Sequence, residues 1–214
     1  MRRLAAAMCA IVLLLSDWPA LANVENPVLL RALLIGADRF HAMPDTEPAA
    51  RDNLYRLAAA LRRDERGYHA IRISLNEYRD AEDFSQLVQN SFRGADSNDI
   101  SLFYITTHGL YETGWPPMRF AMVLSDGTAD YALTAQELHA ALKDILGLKI
   151  LIIDTCNAGA LIDRGMPGDG LQSLFAGQGF KVLTASGGSE PSYFWSTGQR
   201  SEERRVGKEC RSRW

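Results

Sequence analysis

The 214-residue chain predicts an α/β protein: a three-layer sandwich with a mostly parallel central sheet flanked by helices. Two observations carry this. Strand-like apolar runs alternate with segments whose apolar residues recur at helical spacing. Two of the runs, Ile100 to Thr106 and Lys149 to Asp154, are nearly all apolar, as strands covered on both faces of a sheet must be.

The elements follow in order. A first strand spans Val28 to Ile35 and stops at Gly36. Leu54, Leu57, Ala58 and Leu61 then recur at helical spacing within residues 47–63. Tyr68 to Leu75 alternates like a strand, and Phe84, Leu87, Val88 and Phe92 share one helix face. Ile100 to Thr106 is the third strand, and its apolarity makes it central. Phe120–Ser125 and Ala129–Leu133 flank Asp126-Gly127, which reads as a hairpin. The best-specified helix comes next. Thr134-Ala135-Gln136-Glu137 is a capping box, Leu133 and Leu138 are placed as a hydrophobic staple, and Leu138, Ala141, Leu142 and Ile145 form a stripe before Gly147. Lys149 to Asp154 is the fourth strand and Lys181 to Ala185 a shorter fifth.

The two ends read differently from the middle. Arg2 and Arg3, an apolar run from Leu4 to Leu15, and Ala20-Leu21-Ala22 before Asn23 form the three-part pattern of a secretory signal peptide, so residues 1–22 are expected to be removed on export to the periplasm or medium. The apolar run is too short to span a bilayer comfortably, and no membrane association is expected after cleavage. Residues 200–214, RSEERRVGKECRSRW, lack apolar periodicity and turn or cap signals. That string resembles an in-frame translation of a sequencing-adapter oligonucleotide, which leaves 23–199 as the expected domain, incomplete at its C-terminal side.

Of 23 basic and 26 acidic residues, the leader holds two and one and the tail six and three, leaving 15 and 22 in residues 23–199. A net charge of −7 argues against a nucleic-acid partner and mildly favours a basic peptide substrate. Of the three cysteines, Cys9 lies in the leader and Cys210 in the tail. Cys156 therefore has no internal disulfide partner, and stability must come from a packed core, which a domain of this length can bury.

Cys156 is also where the chemistry gathers. Tyr104-Ile105-Thr106-Thr107-His108-Gly109 and Ile152-Ile153-Asp154-Thr155-Cys156-Asn157-Ala158-Gly159 each run from an apolar strand into a loop. Ligands collect at the carboxyl ends of strands in an open parallel sheet. Neighbouring strands would therefore bring imidazole and thiol into one crevice, the pairing covalent acyl transfer needs. The order is His then Cys, 48 residues apart, near the ~50 of caspases. Singly, each residue reads more simply: a lone cysteine after an apolar run is usually inert core, and a lone His-Gly is usually a turn.

Together, these two strings resemble the caspase and metacaspase family of cysteine endopeptidases. The likeness covers about residues 28–195 and is specific only around 104–109 and 152–159. The caspase string Gln-Ala-Cys-Arg-Gly is absent; the segment lies nearer to bacterial caspase-like and metacaspase versions, commonly Asp-Ser-Cys-His-Ser-Gly, from which it departs at Asn157 and Ala158. The resemblance implies a caspase-like fold with His108 and Cys156 as catalytic residues, an oxyanion hole from the backbone amides of Gly109 and Cys156, and a peptide or protein substrate. Asn157 to Leu161 resembles the start of a short helix, whose amides would favour the thiolate.

In metacaspases an acid placed like Asp154 helps form a pocket for arginine or lysine, and Asp52 stands near the place of a second pocket acid. Glu190, in the loop after the fifth strand, is a third substrate-binding candidate. That loop holds no arginine of the kind an Asp-specific pocket would use, so cleavage after Arg or Lys is the expectation. No cofactor is expected. The carboxylates show no loop with calcium-ligand spacing, and the sequence leaves calcium dependence and oligomeric state open. Two alternatives stand beside the peptidase. One is a catalytically silent caspase-like interaction module, against which the intact His108, Gly109 and Cys156 weigh. The other is a flavodoxin-like binding domain, disfavoured because Gly36-Ala37-Asp38-Arg39-Phe40 has no glycine-rich phosphate loop.

Overall fold

Strands β1 (Leu30–Gly36) and β3 (Ile100–Thr106) are buried at every position, the mark of strands with neighbours on both edges and layers on both faces. With β2 (Ala70–Leu75), β7 (Leu148–Asp154) and β8 (Phe180–Thr184) they form a five-stranded sheet, ordered β2-β1-β3-β7-β8 and parallel throughout. The computed structural model describes residues 27–63, 67–78, 80–111, 120–162, 171–177 and 179–187. The expected leader, the 200–214 segment and Glu190 lie outside these residues.

Alternation along the strands divides the core in two. Leu30, Ala32 and Leu34 of β1 face helix α1 (Ala49–Arg62) and meet Leu54, Leu57, Ala58 and Leu61, the helical stripe read from the sequence. Leu33 and Ile35 face the other way, toward α2 (Ala81–Ser91) and α3 (Ala135–Leu142), which contribute Phe84, Leu87, Val88, Leu138 and Leu142. The three layers are therefore those the sequence predicts. A short helix α4 (Leu171–Leu174) lies between β7 and β8 in the chain.

Helix starts are fixed by side chains. Asp80 caps α2 by accepting from the Asp83 amide at 2.9 Å. Thr134 and Glu137 close the capping box on α3, with Thr134 Oγ1 accepting from the Glu137 amide at 3.2 Å and Glu137 Oε2 from the Thr134 amide at 2.8 Å. That helix ends at Leu142, before Ile145, which remains only partly buried against the core. Gly147 then takes a φ of +80° and passes so close to the Asp99 carbonyl that a Cβ would sit 2.3 Å from it. Only glycine meets both demands.

The hairpin is present as β5 (Phe120–Ser125) and β6 (Asp130–Thr134), and a further strand, β4 (His108–Tyr111), adds to it. These three form an antiparallel sheet in which His108 pairs with Val123 and Gly109 with Met122. One residue, Thr107, separates the two sheets along the chain. Its hydroxyl donates to the Val123 carbonyl, so the bend is tied to the hairpin as it forms.

The end of the sheet away from the site is closed by a buried ion pair. Arg31 of β1 pairs with Asp99, just before β3, and Asp99 also accepts from the amides of Leu29 at 2.9 Å and Asp96 at 3.1 Å. Burial works against the charge on Asp99, but the guanidinium and the two amides outweigh it and hold the carboxyl below its ordinary value. Asp99→Ala leaves a buried guanidinium and two amides unpaired, and is expected to cost about 3–5 kcal/mol in urea unfolding. The wild-type contribution should be fully present above the unfolded aspartate value of about 3.9 and lost as pH falls through the lower folded value. An unchanged unfolding midpoint in the variant, or equal acid sensitivity of both proteins, would show that the pair contributes nothing.

Candidate active site

Strands β3 and β7 are neighbours, and their last residues, Thr106 and Asp154, stand directly opposite each other. His108 and Cys156 each lie two residues further on, so both leave the sheet at the same carboxyl edge. Both are buried, with 8% of His108 and 5% of Cys156 exposed. The closeness of the two segments is set by backbone. A Cβ on Gly109 would lie 1.9 Å from the carbonyl oxygen of Cys156 and 2.8 Å from Thr155 Oγ1. Any side chain at position 109 would push the histidine segment off the cysteine segment.

His108 is oriented by the segment after β1. Its Nε2 lies 2.9 Å from the Pro44 carbonyl, and because a carbonyl oxygen only accepts, Nε2 is the protonated donor. The Phe40 ring packs against the imidazole with centroids 4.6 Å apart. Neither contact is visible in the sequence, since nothing in a turn of unpatterned residues says which carbonyl will face a side chain 64 positions later.

Cys156 is followed by Asn157 in the left-handed region, φ +58°, and then by a single 3-10 turn, η1 (Ala158–Leu161). The expected short helix is thus one turn long. The amide of Ala158 donates to Ser186 Oγ at 3.2 Å, and the same hydroxyl donates to the Thr155 carbonyl at 2.9 Å. Ser186, just beyond β8, therefore spans the cysteine loop from both sides. This side chain was missed in the sequence, where only its place beside Gly187 at a strand end marked it as loop.

The Asp154 carboxylate turns toward the α1 layer. Tyr104 donates its hydroxyl to Asp154 Oδ2 at 2.9 Å, and the Asn53 amide reaches the same oxygen at 3.5 Å. Burial pushes the Asp154 carboxyl above its ordinary value, against hydrogen bonds from Tyr104 and Thr106 that favour the charged form. Burial, followed by the neighbouring carboxylate, likewise raises Tyr104 well above the normal phenol range. Among the described residues no ion pair to Asp154 is formed, and the residue stays partly accessible.

Asp52 sits elsewhere on α1. Its carboxylate lies 3.8 Å from Arg56 with nearly half its surface exposed, and the next residue, Asn53, is the one that meets Asp154. Among the described residues no cluster of three metal-ligating side chains occurs, and no helix is long and apolar enough to cross a membrane.

The family described as the caspase domain matches residues 30–208, and the chain belongs to it; the family is one of cysteine peptidases. Among solved structures, caspase-1 from Spodoptera frugiperda is similar at 16% identity and a TM-score of 0.50, with 80% of this chain and 64% of that chain covered. A structural-genomics protein from Geobacter sulfurreducens shares 17% identity over 60% of this chain and 50% of that one, at a TM-score of 0.44. At such identities the first likeness speaks for the fold, and this chain spans somewhat under two thirds of the insect caspase. No curated protein matches the sequence.

The glycine contact yields a direct test. Gly109→Ala forces a methyl into the Cys156 carbonyl and is expected to destabilise the fold by about 1–3 kcal/mol, as overpacking does. The measurement is the urea midpoint. A variant as stable as the parent would mean that the two segments are not held in contact.

Proposed function

We propose that the chain is a cysteine endopeptidase that hydrolyses peptide bonds after arginine or lysine, with His108 and Cys156 as its catalytic pair. The observation that carries the reading is the exit of both residues from adjacent strands at one edge, with Gly109 pressed onto the Cys156 carbonyl. The Cys156 thiolate attacks the scissile carbonyl carbon. The amides of Gly109 and Cys156 would stabilise the oxyanion. With Nε2 held by the Pro44 carbonyl, proton traffic falls to Nδ1. Nδ1 takes the proton of the Cys156 thiol and gives it to the leaving amine as the thioester forms, then takes one from the water that hydrolyses the thioester and returns it to the sulfur. No cofactor is part of this chemistry, and export before activity is part of the proposal.

Basic specificity is supported by Asp154. A carboxylate held in a poorly solvated place by neutral donors gains most from an arriving cation. Glu190 is proposed as a further pocket acid, and on α1 the neighbour of Asp154 is Asn53 rather than Asp52. A silent scaffold with the same fold is the competing reading, and turnover separates the two.

Cys156→Ala should abolish cleavage of an arginyl peptide amide while leaving the unfolding midpoint nearly unchanged, and His108→Ala should reduce cleavage to a small residual rate. Cleavage by either variant within a few-fold of the parent would remove that residue from the mechanism. The specificity claim has its own readout. Because Asp154 must be ionised to receive a cation and its carboxyl is raised, KM for an arginyl substrate should fall as pH rises through a value above the ordinary ~3.9. Asp154→Asn should flatten that dependence and lower kcat/KM about tenfold to a hundredfold, the worth of one charge-assisted hydrogen bond. Equal cleavage after aspartate would overturn the pocket and leave the catalytic pair standing.

A further inference from the structure

Residues 37–48, between β1 and α1, form a strap across His108. Phe40 covers the imidazole ring and Pro44 supplies the carbonyl to Nε2. Ala37 and Phe40 pack against Val123 of β5, the residue paired with His108, with Met43 and Leu110 partly covering them. The base of the strap is closed on itself: the Asp38 carbonyl accepts from the Thr46 amide at 2.9 Å, and the Asp38 carboxylate accepts from Asn76 Nδ2 at 2.8 Å and the Arg51 amide at 3.3 Å. Asp45 takes the Phe40 amide at 2.8 Å.

The middle of the strap is held from outside. Asp130, the first residue of β6, accepts from the amide of His41 at 2.9 Å through one carboxylate oxygen and from the amide of Ala42 at 2.8 Å through the other. Asp130 pairs across the hairpin with Ser125 of β5, and β5 pairs with β4 at His108. One hairpin thus grips the catalytic segment through backbone and the strap through a carboxylate. Only Met43 lies between Ala42 and Pro44, too short a tether to absorb a shift of the Asp130 contact.

We infer that Asp130 is a positioning residue for the reaction: by fixing the amides of His41 and Ala42 it places the Pro44 carbonyl, and through it the tautomer and orientation of His108. The inference rests on the reading of His108 as general acid and base. A 2.9 Å hydrogen bond does not survive an ångström of displacement, and a misplacement of that size can cost about a hundredfold in rate. Burial opposes the charge on Asp130, but the His41 and Ala42 amides and Ser125 outweigh it and keep the carboxyl below its usual value, so the grip persists at neutral pH.

The test uses the full chain and an arginyl peptide amide. Asp130→Ala should lower kcat about tenfold to a hundredfold with KM within twofold, and Asp130→Asn, whose single carbonyl oxygen replaces one acceptor, should recover part of the loss. In a His108→Ala background the same substitution should change the residual rate by less than about twofold, the non-additivity of residues acting as one unit. An equal loss in that background, or a rise in KM at constant kcat, overturns the inference. Proton NMR supplies a readout that does not need turnover: the hydrogen-bonded Nε2 proton of His108 should be a slowly exchanging downfield resonance that Asp130→Ala removes. If that resonance persists in the variant, Asp130 does not place the imidazole. If it vanishes while the parent cleaves nothing, the positioning holds and the peptidase reading fails.

Discussion

The backbone at Gly109 runs against the carbonyl of Cys156 with no room for a single carbon between them, and the arrangement of the site depends on that contact. It arises because β3 and β7 are paired in register to their last residues, so that each chain overhangs the sheet by the same two positions. β3 cannot continue straight on. It bends at Thr107 into β4, and the hairpin β5–β6 receives it. Close approach, bend and second sheet are one device. Glycine makes the approach possible, Thr107 ties the bend to Val123, and the antiparallel ladder holds His108 where β3 delivered it.

Two acids at opposite ends of the sheet show how differently one fold treats a carboxylate. Asp99 has its cation built in: Arg31 lies beside it and two amides complete its shell. Removing an ion from water costs several kcal/mol, and a pair with full hydrogen bonding offsets much of that. Asp154 receives a phenol, an amide and a hydroxyl, all neutral. Its carboxyl accordingly moves up where that of Asp99 moves down. The first is an internal brace. The second stands at the carboxyl edge, where ligands gather in sheets of this kind, and its hydrogen-bond partners among the described residues are neutral groups.

What the sequence displayed was whatever has a period. The strand Ile100–Thr106 was read to the residue, and the capping box at Thr134 and the stripes of α1 and α2 lie where spacing put them. The adjacency of β3 and β7 was required by the motif reading and is found. Contacts between a side chain and a distant backbone have no period, so Pro44 on His108, Asp130 on His41 and Ala42, and Ser186 on Ala158 were silent. Strand β4 was hidden because four residues show little alternation, and its partner strand begins nine positions later. For Asp52 a signal did exist. Successive residues on a helix turn by about 100°, so with Leu54, Leu57, Ala58 and Leu61 buried, position 52 falls nearly opposite the stripe and position 53 on its flank. The wheel favours Asn53 as the residue of α1 nearer the core, and it is the Asn53 amide that reaches Asp154.

Ser186 connects the remaining parts of the edge. A hydroxyl can donate once and accept besides, and this one does both toward the same loop, donating to the Thr155 carbonyl and accepting from the Ala158 amide. The peptide group of Cys156 is thereby bracketed by two fixed points, one on each side, while Asn157 takes the left-handed turn that lets the chain pass between them. Since Ser186 lies two residues past the end of β8, which is itself paired with β7, the strand that leads to Cys156 and the strand that leads into the next loop are locked at their ends as well as along their ladder. Any shift of the segment beyond β8 must then either break two buried hydrogen bonds, each leaving a polar group unsatisfied at about 1–3 kcal/mol, or carry the cysteine loop with it. The position of Cys156 is consequently a property of three strands: β4 through Gly109, β7 through the chain itself, and β8 through the hydroxyl just beyond it.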